Sequence, residues 1–146
     1  MSGGPAFEFV EDVTSDLSFV AKGGTLPEVF GAAAEALLHA TLEDPESLRQ
    51  TEVRPVELVE PDLELLLLRF LNELVYLRDA EALLLLPREI RVELSPAGAR
   101  LVAALVGERI DLERHRLASE VKAATAHGLA LTREEGAFRA TVTLDV

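Results

Sequence analysis

The chain has 146 residues, 26 acids against 14 bases and a formal charge of -12, with 49% hydrophobic residues and no cysteine. That composition excludes disulfides, thiolate zinc sites and cysteine nucleophiles. It also argues against a surface built to grip nucleic-acid phosphates or an anionic membrane, because Lys and Arg carry such binding. The length suits one domain that buries a core without staples, so residues 1–146 read as a single globular domain. MSGGPAFEF has no basic segment leading into an apolar one, and no apolar run approaches the roughly 20 residues of a membrane span. A soluble, cytoplasmic protein is expected.

In chain order, FEFV (residues 7–10) and LSFVAK (17–22) read as short strands on either side of the acidic turn EDVTSD. The turn holds Asp12 and Asp16, with Thr14 and Ser15 between them. Hard cations such as Ca²⁺ and Mg²⁺ take oxygen ligands of this kind, although Asp, Thr and Ser are also ordinary turn formers. Gly23 and Gly24 turn into a helix over 25–41, opened by Thr25 as N-cap with Pro27 and a capping-box Glu28. After the polar connection TLEDPESLRQ, TEVRPVELVE reads as a strand that Pro55 confines to an edge or an irregularity.

A second helix spans 62–79, with Asp62 and Glu64 at its positive end and a narrow polar stripe of Arg69, Asn72, Glu73 and Tyr76. ALLLLP and REIRVEL then read as strand material, ARLVAALVGERI as a strand after the SPAG turn, and DLERHRLAS as a loop or a short turn of helix. The chain closes as a hairpin, VKAATAHGLALT and FRATVTLDV joined by REEG. Strand pairs around two separated helices indicate an α+β fold with an antiparallel-rich sheet.

Asp145 beside the Val146 carboxylate puts two negative charges at the end of an apolar strand, a pair that repels itself unless a cation or cationic partner sits there. A solvated tail is the plainer reading. Should the first and last strands be neighbours, Asp16 and Asp145 meet. Lys122 is one of only two lysines, with Lys22, and is either a compact charge for a phosphate or carboxylate or a strand residue facing solvent. His39 suits the negative end of its helix. His127 follows Thr125 on one strand face by period two, and the three histidines, with His115, share no metal-ligand spacing. GxGxxG, P-loop and GxSxG signatures do not occur.

DVTSD with its following strand, GGTLPEVFGAAAEAL, RFLNELVYLRDAE, GERIDLERH, EVKAATAHG and the terminal LDV together resemble the archease family, over nearly the whole chain. The resemblance implies an SHS2-like α+β domain acting as protein cofactor of an RtcB-type RNA ligase in tRNA splicing or RNA repair. Such a protein promotes guanylylation and turnover of the ligase without being an enzyme itself. By position, it implies a divalent ion, Ca²⁺ or Mg²⁺, held by Asp16, Asp145 and Val146, with Asp12 and Lys122 as candidates for acting on the ligase. The chain departs from the family motif at Val13 and Ser15, where the family has His and Ala, so no imidazole role carries over. Two further readings belong to other classes: a stand-alone metal-dependent hydrolase using Asp12 or Asp16, and a metal-free adaptor or chaperone-like module.

Overall fold

A computed structural model describes residues 6–10 and 16–146. The elements run β1 (Phe7–Val10), β2 (Leu17–Gly23), α1 (Leu26–Thr41), β3 (Glu52–Glu60), α2 (Leu63–Glu81), β4 (Leu83–Ser95), β5 (Gly98–Arg109), β6 (Ala123–Glu134) and β7 (Ala137–Asp145). Both helices start where side chains satisfy their first free amides. Thr25 Oγ1 accepts from the Glu28 amide at 3.3 Å, the expected N-cap, and donates to the Glu28 carboxylate at 3.2 Å, so that carboxylate engages the Thr25 hydroxyl where a full capping box would engage its amide. Asp62 accepts from the Leu65 amide at 2.8 Å, and α2 ends at Glu81, two residues later than expected, capped by Ala82 in the left-handed conformation (φ 57°).

Among the described residues every pairing is antiparallel, and the strands form two sheets, β1-β2-β7-β6 and β3-β5-β4. Pro55 lies on the edge strand β3, where its missing amide costs no central ladder bond. ALLLLP and REIRVEL form one strand, β4, which keeps pairing with β5 through a register shift between Pro87 and Glu89. The closing hairpin is tighter than REEG suggests. Arg133 and Glu134 pair across it, and only Glu135 (φ 51°) and Gly136 (φ 79°) make the turn, both in the left-handed region that two-residue hairpins use.

The helices and the inner sheet faces share one core, in which α1 lies on β2 and β4 while α2 lies on β6, β3 and β4. Phe30 of α1 and Phe70 of α2, both fully buried, meet with ring centroids 6.0 Å apart. In β7 the alternate residues Ala140, Val142 and Leu144 are all fully buried, opposite Ala21, Phe19 and Leu17 of β2. Each such large apolar side chain contributes about 1.5–3 kcal/mol of burial. No helix of the described residues is long and apolar enough to cross a membrane.

One glycine is required by close approach. A Cβ at Gly107 would lie 1.8 Å from the Leu84 carbonyl oxygen, so β5 meets β4 there without room for any side chain. Gly107→Ala is expected to lower the unfolding free energy by about 2 kcal/mol through backbone displacement. A urea titration whose midpoint stays put would contradict this contact.

Candidate metal and partner site at the β2–β7 sheet end

Leu17↔Leu144 is the last pair of the β2–β7 ladder, and one further step places Asp16 opposite Asp145. Leu17 and Leu144 face the core, so the pleat turns Asp16 and Asp145 to the opposite face, in line with Ser18 and Thr143. Ser18 Oγ and Thr143 Oγ1 meet there at 3.0 Å, which shows that side chains on this face reach across the two strands. Directly opposed residues have Cβ atoms about 5 Å apart. Both acids are half-buried, and Val146 packs against the core beside them.

On the other side of β7, Ala123 pairs with Asp145, and the Lys122 amide donates to the Asp145 carbonyl at 2.7 Å. The Lys122 side chain is exposed. The fold therefore gathers Asp16, Asp145, Val146 and Lys122 at one sheet end, from segments more than a hundred residues apart. Asp12, like Val13, Thr14 and Ser15, lies outside the described residues. Among the described residues no three His, Cys, Asp or Glu side chains cluster as a metal site. Asp16 and Asp145 bring two acidic side chains, a hard-oxygen chemistry of the kind that Ca²⁺ and Mg²⁺ take.

The model of the Archease protein family (MTH1598/TM1083) matches residues 7–146. The chain belongs to the archease family. The protein archease of Thermococcus gammatolerans is 38% identical over 120 residues, covering 82% of this chain and 84% of that protein. Its counterpart in Methanothermobacter thermautotrophicus is 36% identical over 140 residues, covering 96% and 98%. The solution structure of Methanobacterium thermoautotrophicum protein 1598 superimposes with a TM-score of 0.84 at 33% identity, over 98% of this chain and all of that one (100%). A Thermotoga maritima crystal structure, described as an archease and possible chaperone, gives 0.64 at 19% identity over 94% and 95%, and bears on the fold alone.

Against the archease family background, two residues of α2 stand out that the strings alone do not single out. Asn72 donates to the Ala124 carbonyl at 3.0 Å and accepts from the Ala124 amide at 2.8 Å, so its carboxamide serves as a strand partner at the start of β6. Arg78 donates to the Val121 carbonyl. Asn72 carried a signal, since it falls in the narrow polar stripe of an otherwise buried helix. Arg78 carried none. The β6–β7 register shifts between Thr125 and Ala130, so His127 lies in a stretch of β6 without a paired partner on β7. The bulge includes Gly128 at φ 67°, a left-handed conformation, and the His127 amide bonds back to Thr125 Oγ1 at 3.4 Å.

The GERIDLERH string builds a buried clasp. Glu108, 6% exposed, accepts from the Arg49 amide at 2.7 Å, from the Arg114 guanidinium, and from His115 Nε2 at 3.1 Å. The Asp111 amide donates to His115 Nδ1 at 2.9 Å, which leaves Nε2 to carry the proton toward Glu108. Burial pushes the Glu108 carboxyl up, but the hydrogen bonds from Arg114, the Arg49 amide and His115 override it and hold the group at about 2, against an ordinary 4.5. The segment after the clasp is strapped over the end of α1, with the Ala118 amide on the Thr41 carbonyl at 2.8 Å and the Ser119 amide on the Ala40 carbonyl at 3.0 Å.

A folded-state value below the unfolded one means that Glu108 stabilises fully above pH 4.5 and loses that contribution as pH falls toward about 2. Glu108→Gln is expected to cost about 2 kcal/mol at neutral pH, from the weakened partners left in a dry site. It should also flatten the acid limb of the stability profile over that window. An acid limb as steep as in the unaltered protein would show that other carboxylates carry it.

Proposed function

We propose that this archease-family protein is an accessory factor of an RtcB-type RNA ligase in tRNA splicing or RNA repair in the cytoplasm, promoting ligase guanylylation and turnover. The observation that carries the reading is the register of β2 on β7, which sets Asp16 opposite Asp145 at the sheet end where Lys122 is bonded to the Asp145 backbone. Family membership over residues 7–146 supports it. In this reading Asp16, Asp145 and the Val146 carboxylate hold a divalent ion, Ca²⁺ or Mg²⁺, and Asp12 and Lys122 act on the ligase.

A bound divalent ion supplies concentrated positive charge that favours the build-up of negative charge in phosphoryl and guanylyl transfer. The chain's own residues do the rest. Asp16 and Asp145 present their oxygens on one face because they continue the pleat of two paired strands. Lys122, exposed on a tethered backbone, offers a compact cation to a phosphate or carboxylate of the partner. The ligase keeps the covalent chemistry.

Asp16→Ala and Asp145→Ala are each expected to reduce stimulation of single-turnover ligase guanylylation by about tenfold or more, and to abolish calorimetric Ca²⁺ or Mg²⁺ binding. Undiminished stimulation by both variants would sink the metal-based role. Stimulation without divalent binding in the unaltered protein would point to a metal-free adaptor. Phosphatase or nuclease turnover with Mg²⁺, lost in Asp16→Ala, would point to a hydrolase.

A further inference from the structure

We propose that α2 is a clamp that positions Lys122, and that Asn72 and Arg78 are positioning residues for it. The functional part of this rests on the reading of Lys122 as a partner-directed group; the clamp itself is a matter of hydrogen bonds. Arg78 holds the carbonyl of Val121, immediately before Lys122. Asn72 holds both the amide and the carbonyl of Ala124, two residues after it. From the opposite side, the Lys122 amide is bonded to the carbonyl of Asp145 at 2.7 Å.

The spacing explains why a helix can do this. Asn72 and Arg78 are six residues apart, about 9 Å along a helix axis. Val121 and Ala124 are three apart, about 10 Å along an extended chain. The two repeats are commensurate, and the longer reach of Arg78 makes up for its different angle around α2. Val121 is fully buried and Ala124 is 5% exposed, so their backbone groups have little access to water and depend on these two side chains. Between the two buried anchors only Lys122 is exposed. The arrangement fixes the backbone of a flexible residue on both sides and leaves its ammonium pointing outward from a defined place, so that it meets the partner's reacting groups in a set geometry.

Asn72→Ala in the full chain, followed by amide hydrogen exchange, tests the clamp without any ligase. Exchange at the Lys122 and Ala124 amides is expected to accelerate about tenfold or more, with β4 and β5 amides keeping their protection. Unchanged exchange at both positions in a folded variant overturns the clamp. With an RtcB-type ligase, Asn72→Ala should lower maximal stimulation of guanylylation about tenfold while the half-saturating concentration moves less than about twofold. Lys122→Ala should show the same pattern, and the double variant should lose little more than Lys122→Ala alone.

Full maximal stimulation by Asn72→Ala, with loss in Lys122→Ala, overturns the positioning role. Full stimulation by Lys122→Ala overturns the functional reading of Lys122, and the positioning role falls with it, whatever the exchange data show. Should Asn72→Ala fail to fold, Asn72→Asp keeps the acceptor for the Ala124 amide and removes the donor to its carbonyl, and Arg78→Lys keeps a cation near Val121. Intermediate exchange and intermediate stimulation in these conservative variants support the clamp. Full protection with full stimulation in both overturns it.

Discussion

Pairing of β2 with β7 joins an early strand of the chain to its last one, and the register of that pair decides where every group at the sheet end points. Leu17, Phe19 and Ala21 lie opposite Leu144, Val142 and Ala140, and all six pack into the core. A slip by one residue would turn three buried side chains of β7 into solvent and bring Thr141, Thr143 and Asp145 inward, at a cost of several kcal/mol. The hydrophobic pattern therefore locks the register, and the register in turn sets the acids. Asp16 and Asp145 share a face and an end because apolar residues on the other face leave them no alternative.

A second constraint acts on the chain between the sheets. Residues 110–122 carry it from the end of β5 to the start of β6 and have no strand partner of their own over most of that length. Several of their backbone groups bond instead to Ala82, to Glu43 and to the end of α1, while the Arg114 and His115 side chains anchor the segment to the Glu108 carboxylate, which serves three donors. Taking that carboxylate out of water is unfavourable by itself. The three charge-assisted or neutral donors reverse the balance, and the depressed value of about 2 records the outcome. Removing any one donor shifts that balance back toward the desolvation penalty, so the clasp acts as a unit.

Much of this was legible in the residues. The two helices are announced by their caps, Thr25 with Glu28 and Asp62, and by dense apolar faces, and the α+β class follows from the strand pairs around them. Pro55 correctly marked an edge. Other features required three dimensions. The residues did not reveal that the β6–β7 register shifts between Thr125 and Ala130, around His127, because a bulge inserts residues that local alternation does not mark. The REEG turn read longer than it is because Glu135 accepts a left-handed conformation that its side chain does not advertise. At the site, the Asp16–Asp145 juxtaposition was conditional on a strand neighbourhood, which topology decides. The roles of Asn72 and Arg78 are contacts to backbone, and backbone acceptors leave no mark in the string of residues that contains them.

The placement of the groups also bears on the kind of function that they serve. Asp16 and Asp145 are half-buried at the rim of a sheet, Lys122 is exposed beside them, and the four residues gathered there come from rigid strand ends or their tethered neighbours. An enzyme that works alone on a small substrate surrounds it, because a closed, water-poor site makes each charge count for more. Groups carried outward on a rigid edge are better placed to complete a site that another protein encloses, where docking itself excludes the water. In the proposed role, the β2–β7 register and the bonds from α2 serve one requirement: a factor that adds charges to a partner's chemistry must deliver them in fixed positions, since a misplaced group acts weakly on the reacting atoms.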